Sequence, residues 1–252
     1  MISGPLVVTG TGTGVGKTVV TAAVAALAVA AGGRVAVLKP AQTGVGLGAS
    51  GDVDEVRRLA GEAVSVRELA RYAEPLAPAT AARRAGAAPV APAAVVGATR
   101  DLAATHDLVL VEGAGGLLVR LDDAGGTLAD AAVLLGAPVL VVAAAGLGTL
   151  NHTALTVEAL TTRGLYCLGV VIGTWPAEPD LAARCNLTDL PAVTGVPLLG
   201  ALPEGAGDLA AAKFLVAARR GLAAGLGGVW TPSDHAGADV QPGTGTVPAS
   251  RN

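Results

Sequence analysis

The sequence is poor in aromatic residues: Phe214, Tyr72, Tyr166, Trp175 and Trp230 are the five among 252. Rings cannot fill an interior, so Val, Leu, Ile and Ala must. Lysine is scarcer still. Of 17 basic residues 14 are Arg, leaving Lys17, Lys39 and Lys213. With no basic run, a formal net charge of −3 and few rings for stacking, a nucleic-acid partner is not expected. The longest apolar stretch, 131–146, is broken by Gly136 and Pro138 and is too short to cross a bilayer, so no membrane partner is expected either. No charged segment precedes an apolar one at the start, so no secretory leader is read. Cys167 and Cys185 lack metal-ligand spacing and read as idle thiols of a reducing cytoplasm.

What the chain has is apolar material. Hydrophobic residues make up 52% and charged ones 15%, enough to build one large core over residues 1–226. Short apolar runs predict strands at Leu6–Thr9, Val35–Lys39, Leu108–Glu112, Val139–Ala143, Leu168–Ile172 and Leu198–Leu202. Helical patterns fall between them at Thr18–Ala31, Pro92–Ala104, Leu128–Leu135, Thr149–Thr162 and Leu209–Arg220. Asp54–Ala60 and Ser65–Tyr72 read as shorter helices, and the Ala/Pro-rich stretch 75–92 as an excursion over one sheet. This alternation implies an α/β fold, a doubly wound, mostly parallel sheet with flanking helices, and ligands outside the carboxyl ends of the strands. Over 227–252, and most clearly from Thr231, periodicity gives way to Pro, Gly, Ser and Asp, the composition of a disordered tail.

The first strand runs into Gly10-Thr-Gly-Thr-Gly-Val-Gly-Lys17-Thr18. A strand, a glycine-rich turn and Lys-Thr opening a helix cradle a nucleoside triphosphate on backbone N–H groups. The loop residues Thr13, Gly14, Val15 and Gly16, with Val19 behind them, are nucleotide-binding candidates. Lys17 is placed for the β/γ-phosphates and the Thr18 hydroxyl for Mg²⁺. The strand Leu108–Val111 delivers Glu112 into the turn Gly113-Ala114-Gly115-Gly116, where a carboxylate can hold Mg²⁺ opposite the loop hydroxyl. Asp52 is a further ligand candidate. Lys39 ends a buried strand beside this site, where an ammonium meets an anion. Both lysines read as facing a polar site outside the core, so replacing either is expected to abolish activity and leave the fold intact. His106, His152 and His235 read as surface or structural residues.

The set Gly10–Thr18, Lys39-Pro-Ala-Gln-Thr43-Gly44, Glu112–Gly116 and Leu147-Gly-Thr-Leu-Asn151 resembles the dethiobiotin synthetases, in order from residue 6 to about 205. The resemblance implies an ATP-dependent cyclo-ligase of the P-loop type that turns 7,8-diaminononanoate and CO₂ into a cyclic urea through a carbamate and its mixed anhydride with phosphate. It implies Mg²⁺ on Thr18, Asp52 and Glu112. It implies Lys39 on the carbamate, Thr43 on the carbamate or an amine, and a cytoplasmic homodimer. The substrate carboxylate would sit at the interface on Leu147, Gly148, Thr149, Leu150 and Asn151. Nucleotide contacts would include Gly173, Thr174, Pro203, Glu204 and Gly205. Two positions depart from the family pattern: Gly14 stands for a glutamate, and Thr174 for an asparagine that reads adenine.

Two other readings share the loop. A dimeric switch ATPase carries a second lysine five residues before the loop lysine, where this chain has Gly12. A small-molecule kinase could share both the loop and Glu112. A GTPase is excluded, because the Asn-Lys-x-Asp motif that reads guanine is absent.

Overall fold

The computed structural model describes residues 2–232. Seven strands form one sheet in the order β3-β2-β4-β1-β5-β6-β7, with every neighbouring pair parallel. They are β1 (Gly4–Gly10), β2 (Val35–Thr43), β3 (Ser65–Tyr72), β4 (Leu108–Gly116), β5 (Val139–Ala143), β6 (Cys167–Trp175) and β7 (Leu198–Pro203). The helices are α1 (Lys17–Ala30), α2 (Asp52–Ala60), α3 (Pro78–Arg84), α4 (Pro92–Ala103), α5 (Leu128–Leu135), α6 (Thr149–Thr162), α7 (Leu181–Thr194) and α8 (Ala211–Gly221).

Alternation along the strands sends neighbouring side chains to opposite faces. Val7, Val109 and Val111 join a core with α4–α7, while Leu6, Val8 and Leu110 join one with α1, α2 and α8. Covered on both sides, the central strands carry no polar face, which is why their sequences are continuous apolar runs. Phe214, fully buried, is the one phenylalanine in this interior. The stretch 75–92 lies over the β2–β3 edge, where Ala81 and Ala82 pack on Ala41 and Tyr72. The Tyr72 hydroxyl donates to the Ala88 carbonyl at 2.8 Å.

Three elements differ from expectation, the short helix α3 within the 75–92 stretch among them. Ser65–Tyr72 is a strand, not a helix: its residues tolerate a helix, but pairing along the whole of β2 outweighs that weak preference. As an edge strand it is only partly buried, so its sequence lacks the apolar run of the others. Helix α7 was not anticipated, because Pro191 lies inside it; its signals were Asp180, whose side chain accepts from the Ala183 N–H, and Gly195 just beyond its end. The expected tail falls mostly outside the described residues, as does His235. Its start at 227 is too early, since Trp230 is 3% exposed and packs in the core facing α4–α7.

Candidate functional site

Strand β1 ends at the centre of the sheet, where β4 and β5 flank it, and the chain turns through 11–16 into α1. Gly16 caps α1 with φ of +90°, a left-handed conformation that glycine adopts without strain. A Cβ on Gly16 would lie 2.7 Å from the Gly173 carbonyl oxygen, and one on Gly173 would lie 2.0 Å from that of Val15. The phosphate loop therefore rests backbone to backbone on the end of β6. Gly173 supports the loop from beneath.

Above the loop opens a cavity of about 710 Å³. Thr13, Gly14, Gly16, Lys17, Thr18 and Val19 line one side. Ala114, Gly115, Lys39, Thr43 and Asp52 line the cavity as well. Pro75–Pro78, Gln42 and Val119 also line it and were not singled out from the sequence. Gln42 lies between Lys39 and Thr43, but nothing local in the sequence marks its role. The proline segment carries no local signal either, since only folding of the 75–92 stretch over β2 brings it there.

At the floor, Lys39 is 2% exposed. Its Nζ donates to Glu112 Oε1 at 2.8 Å and to the Gly113 carbonyl at 3.1 Å, and pairs with Asp52 Oδ2. The Thr18 hydroxyl donates to the same Glu112 oxygen at 2.9 Å. Burial alone would lower the Lys39 pKa, but Glu112 and Asp52 outweigh it and hold the ammonium above its ordinary range. Lys17 shifts the other way, lowered first by burial and then by the Lys39 charge. Its Nζ donates to the Gly12 carbonyl at 2.8 Å, at the position where a switch ATPase carries its second lysine. Both lysines are buried, at 8% and 2%, rather than outside the core as expected. Lys213, the third, is exposed on α8.

Glu112 is 1% exposed, and its second oxygen, Oε2, has no hydrogen-bond partner among the described residues. A buried carboxylate oxygen without a donor beside a hydroxyl and a second carboxylate fits a hard cation. Among the described residues no three His, Cys, Asp or Glu side chains form a metal cluster. Mg²⁺ needs none, since it keeps waters and takes substrate phosphates alongside one or two carboxylates.

The remaining candidates lie apart. Thr174, Pro203, Glu204 and Gly205 are exposed beside the loop, where the Glu204 N–H donates to the Trp175 carbonyl at 2.8 Å. Leu147–Asn151 forms the turn into α6 and does not line this cavity; Leu147 is 95% exposed. His106 bonds to Ser65 and Leu102, and His152 is exposed, so neither enters the site. No helix among the described residues is long and apolar enough to cross a membrane.

A family model described as an AAA domain matches residues 5–207. The chain is 70% identical over 226 residues to an ATP-dependent dethiobiotin synthetase of Saccharopolyspora erythraea, covering 90% of this chain and 98% of that one. It is 66% identical over 235 residues to one of Streptomyces avermitilis, covering 93% and 98%. Among solved structures, the cell division ATPase MinD of Pyrococcus furiosus superposes with a TM-score of 0.55 at 20% identity, over 85% of this chain and 96% of that one. A ParA family ATPase of Chlorobium tepidum gives 0.54 at 14%, over 86% and 92%. The last two likenesses concern the P-loop fold alone.

Proposed function

The chain belongs to the ATP-dependent dethiobiotin synthetase family, and from that premise we propose how its cleft carries out the reaction. The enzyme carboxylates 7,8-diaminononanoate with CO₂ and closes the cyclic urea dethiobiotin, converting ATP to ADP and phosphate. ATP lies with its phosphates on the 11–16 loop at the amino end of α1, where N–H groups and the helix dipole favour anions. Its base faces Thr174 and 203–205, with Val19, Ala114 and Gly115 along its path. Thr18, Asp52 and Glu112 would hold Mg²⁺, which when bound neutralises the triphosphate charge.

Lys39 does the positioning at the reacting end. Its ammonium, fixed by Glu112 and the Gly113 carbonyl, holds the carbamate oxygens against the γ-phosphate, with Thr43 hydrogen-bonding the carbamate or an amine. A carbamate oxygen attacks the γ-phosphate, ADP leaves, and the second amine closes the ring on the mixed anhydride, expelling phosphate. Such a sequence needs alignment and preset charge more than a protein nucleophile. The observation that carries the reading is the buried ammonium of Lys39 at the floor of the phosphate-loop cavity, set among Thr18, Asp52 and Glu112. A switch ATPase, which has no second substrate, has no use for a cation placed to grip a second anion.

The substrate carboxylate lies several methylenes from the reacting amines, and the turn 147–151 is outside this chain's own cavity. The same turn of a second copy supplies the carboxylate site, so the working unit is a cytoplasmic homodimer. Mixing Lys39→Ala chains with Gly148→Glu chains tests the shared site. Activity returns on mixing two inactive proteins if sites are shared, and heterodimers without activity refute it. For the reaction itself, ADP release must require both the diamine and bicarbonate. Turnover without either would instead indicate a switch ATPase, and a stable phosphorylated diamine a kinase.

A further inference from the structure

Of the three oxygens assigned to Mg²⁺, two come from rigid ground: Thr18 from the first turn of α1 and Glu112 from central β4. Asp52 does not. It follows the loop 44–51, which is largely exposed and carries Leu47 at 93%. Gly51, the N-cap of α2, has no side chain with which to satisfy the helix's first N–H groups.

A residue three positions after Lys39 supplies what the cap lacks. Gln42, 4% exposed, accepts from the Asp52 N–H through Oε1 at 2.8 Å and donates from Nε2 to the Thr43 carbonyl at 3.2 Å. Each end of its amide thus holds a backbone group of the protein. It ties the backbone of the proposed metal ligand to that of the proposed carbamate contact. Arg71 closes the other side. Glu68 anchors its guanidinium at 2.7 and 2.9 Å, and its Nη1 donates to the Gly46 carbonyl at 3.4 Å and to that of Ala49. A Cβ on Gly51 would lie 2.8 Å from Arg71 Nη2 and 3.0 Å from Gln42 Oε1, so the two side chains occupy the space a capping side chain would need.

We infer that Gln42 is a positioning residue that caps α2 from β2 and fixes Asp52 as a metal ligand, with Arg71 clamping the loop that leads to it. The inference rests on the metal assignment of Asp52, and the experiment separates the two. Mn²⁺ binding to the full-length protein with ADP is titrated by electron paramagnetic resonance against an ADP blank, with melting temperature recorded in parallel. Asp52→Asn is the reference. Gln42→Met keeps length and loses both hydrogen bonds, and it should weaken Mn²⁺ binding roughly 10- to 100-fold, the range for losing a partner that orients a ligand. Gly51→Ala touches neither residue chemically but displaces both tips, its backbone being extended at φ −111°, and should shift binding in the same direction.

A merely structural Gln42 would lower the melting temperature and leave the Mn²⁺ constant of the folded protein unchanged. Weakened binding in Asp52→Asn with unchanged binding in Gln42→Met and Gly51→Ala overturns the inference and leaves the metal assignment standing. Unchanged binding in Asp52→Asn overturns both.

Discussion

Replacing Lys39 by methionine should cost stability as well as activity. Methionine fills the same channel without the charge. Glu112, 1% exposed, then loses the ammonium at 2.8 Å and keeps only the Thr18 hydroxyl as a charge-directed donor. Stranding one member of a buried ion pair costs about 3–5 kcal/mol. At roughly 2–4 °C per kcal/mol for a chain of this size, the melting temperature falls by on the order of 10 °C. Because the Lys39 pKa is raised above 10.5, its stabilisation is fully present below that pH and is lost only as pH rises through the higher folded value. Ring closure should drop about a hundred- to a thousandfold, the usual loss on removing preset charge from a reaction site. The double variant Lys39→Met/Glu112→Gln separates the effects: with Glu112 neutral and only the part-exposed Asp52 left unpaired, it recovers most of the melting temperature, while turnover stays low. The measurements are thermal unfolding by circular dichroism at pH 7 and dethiobiotin formation. A single variant melting within 2 °C of the parent, or a double variant no more stable than the single, refutes the buried-charge argument. Near-normal ring closure removes Lys39 from the mechanism.

Gly173→Ala should weaken ATP binding tenfold or more by equilibrium dialysis. Its Cβ would meet the Val15 carbonyl at 2.0 Å, and overpacking of about 1–3 kcal/mol falls directly on the phosphate loop. A chain ending at Pro232 should keep the parent's melting temperature, whereas one ending at Leu226 loses buried Trp230 and about 3–5 kcal/mol, read by urea unfolding. Asp107 is held down to about 2, first by hydrogen bonds from the Arg34 side chain. The parent should therefore exceed Asp107→Asn in stability above pH 3.8, the gap closing as pH falls through 2. A gap that is constant with pH would contradict the pairing.

The sheet was legible where strands are covered on both faces, because burial there leaves nothing but apolar residues. It was illegible at the edge: Ser65–Tyr72 alternates too weakly to declare a strand, and only β2 beside it makes one. Lysine scarcity pointed at the site. In a chain that uses arginine almost everywhere, two of its three lysines meet in one cavity. The glycine-rich loop and Glu112 stood out as candidates because each sits in a local strand-to-turn motif, whereas Asp52 rested on the family resemblance; the structure brings Thr18, Glu112 and Asp52 together around Lys39. Gln42 escaped because a capping amide contributed across 10 residues is a tertiary feature with no local signature. The walls at Pro75–Pro78 and Val119 escaped for the same reason.

The central claim is that ATP is spent on a carbamate oxygen. Supplying ¹⁸O-labelled bicarbonate with ATP and 7,8-diaminononanoate, and quenching before the label exchanges with water, tests it by mass spectrometry of the released phosphate. Attack by the carbamate oxygen followed by ring closure leaves that oxygen on phosphorus, so one ¹⁸O should appear in each phosphate formed. Phosphate free of label, with dethiobiotin still produced, would contradict the account.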